Sequence, residues 1–260
     1  MAALLIACQS SPPEPAATAA FPAGRLIDLS HAYDSETIYW PTEDGFQLEV
    51  GAQGMTEGGW YYEAFSFTSA EHGGTHLDAP IHFAEGRRTV DAIPLEDLIG
   101  KGIVVDVSEA ALTDPDYQVS VADFEVWEAE HGPLPDGSIV LLRTGYAQFW
   151  PDRVRYMGTD ERGADAVALL HFPGLHPDAA QWLVDNRRIA AIGLDTPSVD
   201  YGQSGDFMAH RILFEANIPA FENVADMREL PPKDFTILAL PMKIGEGSGA
   251  PLRIVAMVPE

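Results

Sequence analysis

The chain predicts an α/β domain with many strands and few long helices, and three observations carry that expectation. Short runs rich in Val, Ile and Leu recur at 102–107, 138–144, 189–195, 235–240 and 252–258, as buried strands do. Stretches of helical spacing fall among them, at 121–131, 177–185 and 208–216. A length of 260 residues suits one large domain with a substantial core, placed here at 25–260.

The elements follow in order. Residues 26–31 alternate like a short strand, and 38–41 form an aromatic loop containing Trp40. Strands are predicted at 46–50 and 60–68, joined through a turn at Gly58 and Gly59. A helical turn at 94–99 precedes the strand at 102–107, and the helix at 121–131 ends at Gly132, a C-cap. Residues 148–165 show no period and many charges, which reads as a surface excursion. His176 and Pro177 open the helix at 177–185, and the strand at 189–195 ends in the loop Thr196, Pro197, Ser198. The helix at 208–216 leads to a short strand at 218–222, and a flexible turn at 245–249 separates the last two strands.

Forty acidic residues against fifteen basic ones give a formal charge of −25, a surface that repels nucleic acid and anionic lipid. The single cysteine, Cys8, rules out an internal disulfide and a thiolate metal cage. Residues 4–8 look like the lipobox of a bacterial lipoprotein, and 9–20 have the composition of a disordered tether. Residues 1–24 are therefore expected to be a truncated signal and tether, with Cys8 acylated. That places the protein in the bacterial periplasm or outer membrane, with a cytoplasmic protein as the alternative. No other stretch is long or apolar enough to span a membrane.

One segment concentrates the chemistry. His72, His76, Asp78 and His82 fall within eleven residues at even spacings. In an extended chain, His72, His76 and Asp78 share a face. Gly73 and Gly74 argue against a helix, and Pro80 ends regular pairing, leaving His82 at the mouth. Two imidazoles and a carboxylate are a ligand set for Zn or Mn. His210 and Glu222 form a further candidate pair, although such residues are more often structural.

The run from His72 to His82 resembles the H-x-G-T-H-x-D-x-P-x-H signature of the metal-dependent cyclase family, which includes bacterial kynurenine formamidases and isatin hydrolases. Similar residues recur at 26–30, Trp40, Pro41, 193–198, 210–222 and 242–244. The resemblance implies a β-rich single domain of the swivelling β/β/α type, assembled as a homodimer or homotetramer. It implies metal ligation by His72, His76 and Asp78, with Asp78 bridging to a second metal held by His210 and with Glu222 touching both. It assigns His82 as general acid/base and Trp40 to an aromatic substrate. Because Glu222 is present, it favours a two-metal, formamidase-like site over the one-metal isatin hydrolase branch.

The expected function is metal-assisted hydrolysis of an amide C–N bond in a small aromatic substrate, an N-formylkynurenine-type formamide first and an isatin-like cyclic amide second. A lipid-anchored binding protein with a structural metal is the reading from another class. Neither a G-x-S-x-G elbow nor an H-E-x-x-H helix occurs.

Overall fold

The computed structural model describes residues 24–259, so Cys8 and the expected tether lie outside the described residues. The chain enters through β1 (Arg25–Asp28) and extends a hairpin of β2 (Gln47–Met55) and β3 (Tyr61–Thr68). It returns through β4 (His76–Asp78), the single turn α1 (Leu95–Leu98) and β5 (Ile99–Asp106). Next come α2 (Ser108–Ala111), β6 (Gln118–Val119), α3 (Val121–His131) and β7 (Ile139–Arg143). After α4 (Arg153–Met157), β8 (Gly174–Leu175) and α5 (Pro177–Asn186), β9 (Ala191–Leu194) enters the sheet. The chain closes through α6 (Met208–Glu215), β10 (Ala220–Glu222), β11 (Phe235–Pro241) and β12 (Gly249–Val258).

The main sheet runs β1-β12-β11-β5-β7-β9-β10-β4, and β12 also pairs with β4. Seven strands thus close on themselves like a barrel, and β1 is an added strand beside β12. Pairing is parallel from β5 through β7 and β9 to β10 and antiparallel elsewhere. The parallel strands are apolar at their centres, at 103–105 in β5, 139–142 in β7 and 191–194 in β9, where both of their faces are covered. In β7 the alternation is plain: Ile139 and Leu141 belong to one core, Val140 and Leu142 to the other.

The first core lies between the sheet and the helices, where Phe124, Leu183, Leu213 and Phe214 pack on Val105, Val140 and Ile192. Full burial of each such side chain contributes about 1.5–3 kcal/mol. The second, with Leu77, Val104, Leu141, Phe221, Ile237 and Ile254, joins the remaining strands. Helix α3 starts at Ser120, whose N–H donates to Asp123 at 2.7 Å, and stops at Gly132 with φ 86°.

One segment departs from expectation. Residues 148–165 are not a surface excursion: Tyr156 and Met157 of α4 are buried in a third core with Ile38, Tyr146, Leu170 and Phe172. Their apolar residues sit in one-turn pieces too short to show a period, while Arg155 faces outward. The β2–β3 hairpin forms a separate two-stranded ribbon with Val50, Met55, Trp60, Tyr62 and Phe67 all more than half exposed. No described helix is long and apolar enough to cross a membrane.

Candidate metal centre

Strand register builds one half of the site. On the β4–β10 ladder, His76 stands opposite Glu222 and Asp78 opposite Ala220. His76 and Asp78, two residues apart, share a face. On its other edge β4 pairs with the first residues of β12, so its backbone is held from both sides. Helix α6 supplies His210. Asp200, in the loop before that helix, accepts from the N–H groups of Ala209 (3.0 Å) and His210 (3.1 Å) and from His210 Nδ1 (2.6 Å).

The buried side chains converge closely. His76 Nε2 lies 3.0 Å from Asp78 Oδ1 and 3.4 Å from Glu222 Oε2. His210 Nε2 lies 3.0 Å from Glu222 Oε1 and 3.4 Å from Asp78 Oδ2. His76 Nδ1 is 2.9 Å from the Gly74 carbonyl and His210 Nδ1 faces the Asp200 carboxylate. Both partners can only accept, so each Nδ1 carries a proton, and each ring, when neutral, turns an Nε2 lone pair towards carboxylate oxygens. Lone pairs facing lone pairs make a place that a cation would satisfy. Without one, the cluster must take up protons. Burial pulls His76 down, but the hydrogen bond and charge of Asp78, with Glu222 and Gly74, push it up to about 8. His210 is likewise raised well above its ordinary range: burial opposes, and Asp200, Asp78 and Glu222 outweigh it. Burial and the neighbouring Asp78 raise Glu222, whereas the charge and hydrogen bonds of the histidines hold Asp78 well below its ordinary value against burial. His76, Asp78 and Glu222 each bring a donor atom within 4.8 Å of the others, which fits a divalent cation held by N and O donors.

Loops build the other half. The segment 72–78 is not extended throughout, because Gly74 sits at φ +57°, a left-handed conformation that a side chain would strain. His72 therefore reaches Asp78 by a turn rather than by alternation, its Nδ1 2.7 Å from Asp78 Oδ1. Gly73 has no room for a Cβ, which would meet the Tyr39 ring at 2.0 Å. The close approach is thus to an aromatic side chain of the loop that also carries Trp40. His72 Nε2 lies 3.0 Å from Ser248 Oγ, and Ser248 donates through Oγ (2.7 Å) and N (3.0 Å) to Glu71. His82, in the turn begun by Pro80, stacks on His72 at 3.8 Å with its Nε2 4.0 Å from Asp78 Oδ2. His72, Asp78 and His82 form a second group of clustered donors. Burial, assisted by the neighbouring histidines and opposed by Asp78, lowers His82 to about 4, so the ring is neutral at neutral pH.

A cavity of about 460 Å³ opens onto both halves and is lined by every described candidate: His72, His76, Asp78, His82, His210, Glu222 and Trp40. Trp40, Phe83 and Phe207 give it aromatic walls. Phe207 holds a left-handed backbone conformation (φ 52°), uncommon for a bulky residue, where α6 begins. Asp200, Ser248, Phe83 and Phe207 were not distinguishable in the sequence. Nothing marks an Asp ten residues ahead of His210, and the glycine-rich run around Ser248 reads as an ordinary turn. Asp195, by contrast, is a structural bolt: its carboxylate accepts from Thr144 N and Oγ1 (both 2.8 Å) and Gly145 N (2.9 Å). His176 caps α5, and His171 pairs with Asp116 outside the site.

Comparison with known proteins agrees with this architecture. Residues 27–201 match the Cyclase family model, described as "Putative cyclase". The chain is 33% identical over 198 residues to the isatin hydrolase of Roseibium aggregatum, covering 73% of each sequence. It is 29% identical over 235 residues to the kynurenine formamidase of Salinibacter ruber, covering 88% of this chain and 96% of that one. A solved isatin hydrolase bound to the product analogue thioisatinate superposes with a TM-score of 0.80 at 27% identity, covering 90% of this chain and 92% of the other.

Proposed function

Because the chain belongs to the Cyclase family and is a hydrolase of non-peptide C–N bonds, we propose that it cleaves an aromatic amide, first an aryl formamide of the N-formylkynurenine type. The observation that carries this is the pair of Nε2 lone pairs, from His76 and His210, aimed at the buried carboxylates of Asp78 and Glu222. His76, Asp78, His210 and Glu222 would hold one or two divalent ions, Zn or Mn, with His72 joining on the Asp78 side. Such a cation supplies Lewis-acid polarisation of a carbonyl and a lowered pKa for water. Asp200 and the Gly74 carbonyl fix the ring tautomers that leave both Nε2 atoms free. His82, neutral and beside Asp78, accepts a proton and returns it to the leaving nitrogen. Trp40, Phe83 and Phe207 exclude water around an aryl ring.

A second reading, a cyclic amide of the isatin type, draws on the higher identity to the isatin hydrolase. Absorbance assays with N-formylkynurenine and isatin, with and without chelator, test both. Turnover that stops with chelator and returns with Zn or Mn is expected. No turnover of any formamide or cyclic amide at full metal occupancy would contradict the proposal and favour a binding protein.

The assembly belongs to the same proposal. The apolar β2–β3 ribbon runs straight into Ala70 and Glu71, both of which line the cavity, so a second copy seated on it would stand at the rim. A homodimer or homotetramer is expected in sedimentation, and Trp60→Asp should shift it towards monomer; a monomeric parent would contradict this. For Cys8, radiolabelled palmitate incorporation that Cys8→Ala abolishes would support the lipid anchor, and no incorporation would remove it.

A further inference from the structure

The cavity's charge is one-sided. Beyond the clustered histidines, Asp78 and Glu222, its charged lining consists of Glu43 and Glu71, and among the described residues no lysine or arginine lines it. Glu43 lies three residues after Trp40 on the same loop and is exposed. Its carboxylate receives a hydrogen bond from Thr42 Oγ1 at 3.3 Å. Glu71 is fixed: its Oε2 accepts from Ser248 Oγ and N and from Gly249 N (3.3 Å). Arg153 and Arg162 donate to the backbone carbonyls of Tyr39 (3.3 Å) and Glu43, and neither arginine is among the lining residues. The formal charge of −25 adds a field of the same sign.

A ligand whose amide reaches the donor cluster brings the rest of its body among Trp40, Phe83, Phe207, Glu43 and Glu71. A negative group on that body meets the carboxylate of Glu71, held by Ser248 and Gly249, and that of Glu43 at the exposed rim, and both repel it. We propose that Glu43 and Glu71 are specificity-determining residues that select against aromatic amides whose body carries a net negative charge away from the scissile bond. They select in favour of neutral, zwitterionic or amine-bearing ones. The inference rests on the aromatic-amide reading and narrows it to a charge class.

Three formamides of similar size separate the charges: N-formyl-3-aminobenzoate, N-formyl-3-aminobenzamide and N-formyl-3-(aminomethyl)aniline. At low salt the carboxamide should exceed the carboxylate in kcat/KM by about tenfold, with the amine at least equal to the carboxamide. Raising the ionic strength to near 1 M should shrink that ratio to about threefold or less, because the Debye length falls to roughly 3 Å. Glu43→Gln should move the carboxylate-to-carboxamide ratio up by about threefold or more. Equal kcat/KM for the three compounds, or a ratio that neither salt nor Glu43→Gln moves, overturns the proposal. Dissociation constants for the same compounds, from calorimetry on the metal-loaded protein, give the charge order independently. If none is cleaved, the hydrolysis reading fails, while weaker binding of the carboxylate still supports the charge selection and equal or tighter binding still overturns it.

Discussion

The two halves of the donor cluster are held by different forces. His76, Asp78 and Glu222 take their positions from backbone register, on two neighbouring short strands that are each paired on both edges. His72 and His82 take theirs from a left-handed glycine, a ring stack and a hydrogen bond to Ser248. Backbone hydrogen bonds hold the first set in place whatever the side chains do. The second set depends on neighbouring side chains and can adjust. A ladder suits groups that must present fixed donors to a cation, and a loop suits a ring that gains and loses a proton.

Substitutions can break that division. The largest effect is expected from Asp78→Asn, since Asp78 faces His72, His76 and His210 together. Bound metal should be lost and turnover should fall on the order of 10³-fold or more. Unchanged metal by elemental analysis would remove Asp78 from the ligand set. On the loop side, His82→Ala should lower kcat by about 10²–10⁴-fold, the usual contribution of one general acid/base. A smaller loss would reassign the proton to another group. Asp200→Asn replaces the charged partner of His210 while keeping its shape. It should weaken metal affinity by roughly 10–100-fold, read by competition with a chelating dye. No change there would mean that His210 is oriented by its packing alone.

The smallest effect sharpens how the loop side is supported. His31 donates its N–H to Thr75, next to His76, and its ring stacks on Trp150 at 4.0 Å. Burial, opposed by Asp28, lowers its pKa from 6.5 to about 4. The unfolded chain therefore takes up the proton first as pH falls. Stability from this ring is complete above about 6.5 and is lost as pH drops towards 4, by about 1–2 kcal/mol at pH 5. His31→Phe keeps a stacking ring without the titration, so its Tm should fall less between pH 7 and pH 5 than that of the parent, by a few degrees. Equal falls would show that other groups dominate acid sensitivity.

The same contrast explains what the sequence revealed. Buried parallel strands such as β5, β7 and β9 announce themselves as continuous apolar runs, because both faces are covered. His76 and Asp78 were legible for the same kind of reason, since a period of two survives in β4. His72 was legible as a member of the cluster but not in its path, because the turn at Gly74 breaks the alternation. The packing of Tyr156 and Met157 was hidden, since one turn of helix is too short to show a face. Asp200 and Ser248 act through tertiary contacts that have no local pattern. His210 and Glu222 stood out as a candidate pair, but their ligand role came only through the family resemblance. Alone, a helix histidine and a strand glutamate look structural.

Metal stoichiometry of purified Glu222→Ala beside His82→Ala tests the division most directly. His82→Ala is expected to retain the parental metal content with turnover largely lost, while Glu222→Ala is expected to lose one equivalent of metal. Loss of metal from His82→Ala to the same extent, or full retention by Glu222→Ala, would contradict that division.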